Sequence, residues 1–199
     1  MKKLQLSIFL LLNVLLGFTQ NNEQKQRLEV IIDGKNYYVN ENDTLLVNNK
    51  PIIINLAKTQ ILNSEGISFE YPNHLSLRTE KESGLDIYSL DGDDIVISKF
   101  VFQVAINTED LANDLIKDFG KKNCKIDNTK ITLNSNTFEG SKITAGLLKS
   151  KLTIEIYKIS EQNNLTQILI IQDSKNEDGS DSSEYKNAIE ILNKTFVVK

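Results

Sequence analysis

Two patterns of apolar and polar positions divide this chain. Between Leu28 and Leu56 the apolar residues alternate with polar ones or run in short blocks, which suits strands and not helices. Leu28 to Ile32 and Tyr37 to Val39 flank Asp33-Gly34, a residue pair matched to a tight hairpin turn. Leu45 to Val47 and Ile52 to Leu56 follow, split by Asn48, Asn49 and Pro51. A segment this short cannot bury an independent core, so residues 28–65 read as a β extension of a larger domain, with 20–27 as a polar linker.

The main domain spans 66–199. Ile67, Phe69 and Tyr71 alternate with polar residues up to Pro72. Leu75 to Thr79, Leu85 to Tyr88 and Ile95 to Ala105 read as further strands, the last rich in β-branched residues. The period then changes. Leu111, Leu115, Ile116 and Phe119 recur at helical spacing, opened by Asn107 or Thr108 and closed by Gly120. Strands resume at Ile131 to Leu133, Thr137 to Glu139, Lys142 to Thr144, Leu152 to Ile159 and Leu165 to Asp173. In the closing helix Tyr185, Ala188, Ile189, Leu192 and Phe196 share a face, and Asp181 with Glu184 stand in capping-box relation. Strands in hairpin order with two helices predict an α+β fold, an antiparallel β-sheet flanked by two helices with an N-terminal β extension.

The first residues follow another logic. Lys2 and Lys3 precede an uncharged run from Leu4 to Phe18, too short for a spanning helix of about 20 residues. A basic head, an apolar heart and small residues at Gly17 and Thr19 describe a signal peptide over 1–19, cut before or just after Gln20. No Cys follows the run, so a lipoprotein is not expected. The expected location is secreted or periplasmic. A buried N-terminal helix is the competing reading, and the polar stretch Asn21 to Arg27 weighs against it.

Charge narrows the partners. The full chain has 23 basic and 27 acidic side chains; losing Lys2 and Lys3 moves the net charge from −4 to −6. That sign disfavours nucleic acid and anionic membrane surfaces, and no basic run exceeds Lys121-Lys122. One Cys and one His leave no disulfide scaffold and little material for a metal or triad site.

The opening Ile67-Ser68-Phe69-Glu70-Tyr71-Pro72, a long strand feeding one helix, a hairpin series and the ending Ile191-Leu192-Asn193-Lys194-Thr195-Phe196 resemble the PsbP-like and DcrB-like proteins. The resemblance covers roughly 66–199. It implies a PsbP/DcrB-like sandwich in extracytoplasmic use, mostly without enzymatic activity and without a shared catalytic motif, so no site residue is carried over. The extension at 28–56 departs from that pattern.

Each candidate for chemistry meets a plainer alternative. His74 and Cys124 are the only pair that could supply a base and a thiol nucleophile, and nothing in their spacing brings them together. Asp173 to Glu184 has acids at the first, ninth and last of twelve places, as an EF-hand loop would. Lys175 stands at the third place and Asp178 at the sixth, where an oxygen ligand and Gly belong. Asp91-Gly92-Asp93-Asp94 reads as a hairpin tip. Gly140 and Gly146 are isolated and build no phosphate loop, whereas a glycosidase-type carboxylate pair depends on three-dimensional spacing. Asp43-Thr44-Leu45 resembles a short O-glycosylation motif of secreted bacterial proteins, with a β-turn as the alternative. No catalytic, cofactor or metal residue is assigned.

The least ordinary feature is Asp110, Asp114 and Asp118 at four-residue steps on the first helix. Like-charge pairs at that spacing cost roughly 0.2–0.5 kcal/mol each, so the stripe is either a relieved solvated face or a dock for a basic partner. The expected function is a non-catalytic accessory domain that binds another extracytoplasmic protein. The alternatives are a carrier of a small apolar or ionic ligand and an enzyme of unknown type.

Overall fold

The computed structural model describes residues 27–40, 43–55, 57–147, 150–162 and 164–199. The expected signal peptide and nearly all of the linker lie outside the described residues. The described chain forms two compact units, one ending at Lys58 and one formed by Thr59–Lys199.

The first unit holds two hairpins. β1 (Arg27–Ile32) pairs with β2 (Lys35–Asn40), and β3 (Thr44–Val47) with β4 (Lys50–Ile53). Both turns have two residues at positive φ, Asp33 at 50° with Gly34 at 76°, and Asn48 at 50° with Asn49 at 58°. That geometry matches the right-handed twist of the strands and selects Asp, Asn and Gly.

The body holds β5 (Thr59–Ser64), β6 (Ile67–Pro72), β7 (Ser76–Glu82), β8 (Leu85–Asp91), β9 (Ile95–Phe102), α1 (Thr108–Phe119), β10 (Cys124–Leu133), β11 (Asn136–Leu147), β12 (Ser150–Gln162), β13 (Leu165–Ser174), α2 (Ser183–Thr195) and β14 (Val197–Val198). Seven strands form one antiparallel sheet in the order β10-β11-β12-β13-β9-β8-β7, and β14-β6-β5 form a smaller one. The α+β architecture with two packed helices and N-terminal hairpins is therefore as the sequence predicts.

The sequence places the start of the body at Gly66, whereas Thr59–Ser64 already pairs with β6. Only Leu62 on that strand is buried, so its apolar signal is faint. The segments at 137–139 and 142–144 are one strand. Gly140, between them, pairs with Tyr157 and breaks nothing.

Alternation divides the large sheet between two cores. Ile154, Ile156, Ile168, Ile170 and Phe100 face α1, which buries Ala112, Leu115 and Ile116 against them. Tyr157, Leu169, Ile171 and Ile97 face the other way, where α2 and the small sheet bring Leu192, Phe69, Tyr71 and Phe196. Residues on β12 and β13 are thus buried on both faces, which on β13 explains the unbroken apolar run Ile168–Ile171.

At Gly140 a Cβ would stand 2.1 Å from the Ile156 carbonyl oxygen and 2.7 Å from the Tyr157 ring. The backbone oxygen cannot yield without opening the β11–β12 ladder. Gly140→Ala should therefore cost about 1–3 kcal/mol, as overpacking does, in a urea unfolding measurement. A neutral substitution would show that the two strands separate there more easily than this packing implies.

Candidate functional site

The acidic stripe sits on a helix whose ends are well defined. Asn107 caps α1, its Oδ1 accepting from the Glu109 N–H at 2.9 Å. Gly120, at φ 83°, ends the helix and donates its N–H to the Lys117 carbonyl. With Ala112, Leu115 and Ile116 turned inward, Asp110 and Asp118 are exposed and Asp114 is half-buried. Asp114 Oδ1 accepts from Lys117 Nζ at 2.7 Å. That bond, the Asp114 charge, and then Asp110 and Asp118 raise the Lys117 pKa above its ordinary value.

The pairing changes what Asp114→Asn should do. The change removes like-charge neighbours but also loosens an i,i+3 ion pair, and both effects are a few tenths of a kcal/mol. Stability should stay within about 0.5 kcal/mol of the parent. A loss above about 1 kcal/mol in denaturant unfolding would mean that Asp114 holds the fold.

A cavity of about 660 Å³ opens near the start of α1. Thr108 of the helix, Asn128 and Lys130 of β10, and Glu139 and Ser141 of β11 line it. Lys130 Nζ donates to Glu139 Oε1, its partner across the β10–β11 ladder, at 2.7 Å. The lining can offer hydroxyls, an amide and a paired charge to a polar ligand.

The structure separates His74 from Cys124. His74 Nε2 contacts Glu184 Oε1 at 3.0 Å, at the N-terminal end of α2. Cys124 opens β10 and packs with the α1-side core, where burial raises its thiol pKa. No thiol–imidazole pair is assembled.

In the acidic loop a lysine fills the cation's place. The buried Asp173 carboxylate accepts from Lys175 Nζ at 2.5 Å and from the Ser182 N–H at 3.3 Å. Lys175 Nζ also donates to Asp181 and lies 5.0 Å from the centre of the Tyr185 ring. Burial works to lower the Lys175 pKa, but its bonds to Asp173 and Asp181 hold it above the ordinary lysine value. Among the described residues no group of three or more His, Cys, Asp and Glu side chains is arranged to hold a metal ion.

The capping box is not the one the spacing suggests. Ser182 caps α2, its Oγ accepting from the Tyr185 N–H at 3.0 Å. Asp181 is engaged by Lys175. Glu184 reaches instead to the β8–β9 turn, its Oε2 accepting from the Asp94 N–H at 2.6 Å. Burial, followed by Glu184, Asp93 and Asp173, raises the Asp94 pKa.

Two buried charges escape the sequence reading. Glu155 accepts from Lys142 Nζ at 2.7 Å, Tyr157 OH at 3.0 Å and Tyr185 OH at 2.9 Å. Burial first, then the Glu155 charge, pushes both tyrosine pKa values well up. Lys99, only 1% exposed, donates to the Ser64 carbonyl at 2.6 Å and to Ser64 Oγ at 2.9 Å. Glu155 alternates with Ile154 and Ile156, and Lys99 follows Ser98 in β9, so in sequence both read as polar side chains of a solvated face.

Burial pushes the Lys99 pKa down to about 8, with Glu65 opposing weakly. Between about pH 8 and the unfolded lysine value near 10.4, the unfolded chain then holds more protons than the folded one. Stability should therefore rise with pH across that window, and the full penalty should be present below it. Lys99→Met should flatten the rise in urea unfolding measured at several pH values. Parallel pH profiles for the two proteins would show that Lys99 keeps its charge at no cost.

The chain matches no family model, and no curated protein matches it in sequence. Among the described residues no helix is long and apolar enough to cross a membrane.

Proposed function

We propose that this protein is a secreted or periplasmic, non-catalytic accessory domain that binds another extracytoplasmic protein. The observation that carries this reading is the division of labour among its charges. The buried ones, Glu155, Asp173, Lys175 and Lys99, are engaged in holding the fold together. Asp110 and Asp118, in contrast, point to solvent from the outer face of α1. The body from 59 to 199 carries a net charge of −6, so a basic-faced partner is the one its field would steer. The signal peptide and the resemblance to PsbP-like and DcrB-like sandwiches support the same reading and belong to the proposal with it.

The test is photo-cross-linking from positions 110 and 118 in cells that export the protein. The proposal expects a discrete adduct with one extracytoplasmic protein, reduced in Asp114→Asn. Absence of any adduct from both positions would count against it.

A second reading, a carrier of a small ligand, is favoured by the cavity beside Thr108 and Ser141. Its polar lining supports an ionic or polar ligand over an apolar one. Native mass measurement of the exported protein, before and after mild unfolding, would reveal such a passenger.

A further inference from the structure

Lys99 is placed unlike two other lysines that reach inward from the sheet. Lys142 donates to the Glu155 carboxylate and Lys175 to that of Asp173. Lys99, inside β9, meets an alcohol and a carbonyl instead, Ser64 Oγ at 2.9 Å and the Ser64 carbonyl oxygen at 2.6 Å. Across the ladders it stands opposite Leu169 of β13 and Tyr88 of β8, whose ring centre lies 5.6 Å from Nζ. Among the described residues, the titratable groups that face it are Tyr88 and Glu65 of the β5–β6 turn. Lys81 of β7, paired with Asp86 at 3.2 Å, interacts with both of these.

Both Ser64 contacts suit a neutral amine. Without its third proton Nζ still donates one N–H to the Ser64 carbonyl, and its lone pair accepts from the Ser64 hydroxyl. A hydroxyl and a base 2.9 Å apart lie within the reach of about 2.6–3.2 Å over which general bases act. Burial with no carboxylate in contact favours the neutral form, which Lys99 reaches near pH 8. The serine can also be reached from outside. Ser64 ends β5 and is half-buried, and the turn residues after it, Glu65 at φ 43° and Gly66 at φ 77°, are exposed. Ser64 pairs with Ile67, so the Glu65 and Gly66 N–H groups fall outside the β5–β6 ladder. Gln167 Nε2 donates to the Glu65 carbonyl at 2.9 Å and fixes the turn against β13.

We propose that Ser64 is a base-activated nucleophile, the site at which this protein is acylated by small activated esters or thioesters. Lys99 Nζ takes the Ser64 hydroxyl proton as Oγ forms its bond to the acyl carbon. The bond from that carbon to the leaving alkoxide or thiolate breaks, and the leaving group departs with the proton from Lys99. The acyl group stays on Ser64 as an ester, and nothing is oxidised or reduced. One group is taken per chain, so the modification is compatible with a non-catalytic role and independent of the acidic face of α1.

The test treats the exported protein with p-nitrophenyl acetate and follows intact mass and peptide maps. An acetyl ester should form at Ser64 and be removed by hydroxylamine, which leaves acetylated lysines unchanged. Its rate should rise with pH through about 8 and level off above, as Lys99 loses its proton. Ser64→Ala should abolish the ester, and Lys99→Met should slow its formation roughly 100-fold. Ser68, half-buried on the paired strand β6, is the internal control and should stay unmodified. The wild-type pH profile carries the test by itself if Lys99→Met fails to fold. No hydroxylamine-sensitive ester at Ser64, an equal rate at Ser68, an unchanged rate in folded Lys99→Met, or a rate that keeps climbing tenfold per pH unit well above pH 8, as for an unassisted hydroxyl, would each overturn the proposal.

Discussion

Phe196→Ala should lower stability by about 3–5 kcal/mol, one of the two largest effects expected of any single change in this chain. Phe196 is fully buried where α2 ends. Its ring stacks on Phe69 at 5.8 Å and meets the edge of Phe138 at 5.8 Å, so it joins the closing helix to both sheets. Truncation leaves a cavity among groups held by ladders on two sides, with little freedom to collapse. For a domain of this size such a loss corresponds to roughly 10 °C in Tm. Asn193→Ala is the control. Its side chain is exposed, and the contact it makes, from the Asn134 N–H at 2.9 Å, uses the Asn193 backbone carbonyl. That change should stay within about 0.5 kcal/mol. Equal small effects at both positions, by calorimetry, would mean that α2 is not docked on the sheets.

Lys175→Met should be about as costly, roughly 3–5 kcal/mol, for a different reason. The Asp173 carboxylate, with no exposed surface, would lose its ammonium partner and keep, among the described residues, the Ser182 N–H. An uncompensated charge in the interior is far worse than no charge at all. Adding Asp173→Leu to Lys175→Met should therefore recover much of the loss, although it removes one more polar group. Strict additivity of the two changes in chemical denaturation would show that the pair is not coupled and that water reaches Asp173 freely.

Much of this architecture is legible in the sequence because single residues mark the boundaries. Asn107 and Gly120 bracket α1, and Asp33-Gly34 turns the first hairpin as its chemistry requires. What is not legible depends on neighbours distant in sequence. β5 has one buried residue, Leu62, and is a strand because β6 hydrogen-bonds along it. Asp181 and Glu184 have the spacing of a capping box, but Lys175 engages the first and the Asp94 N–H the second, so Ser182 becomes the cap. Glu155 alternates with apolar residues as a solvated side chain does, and Lys99 sits beside Ser98 as a solvated lysine would. The small sheet and α2, which come from parts of the chain distant from both residues, turn that face inward. The acidic stripe is fully visible in sequence, whereas the Lys117 contact that relieves its centre depends on a rotamer.

In the proposed function, the acidic face of α1 recruits a basic-faced protein outside the cytoplasm. It is tested by the association rate of the cross-linked partner with wild type and with the double variant Asp110→Asn, Asp118→Asn, across a range of salt. Steering charges act on the encounter and are screened over about 10 Å at 0.1 M salt. The variant should associate several-fold more slowly at low salt, and the two rates should converge as salt rises. Identical rates at every salt concentration would contradict it.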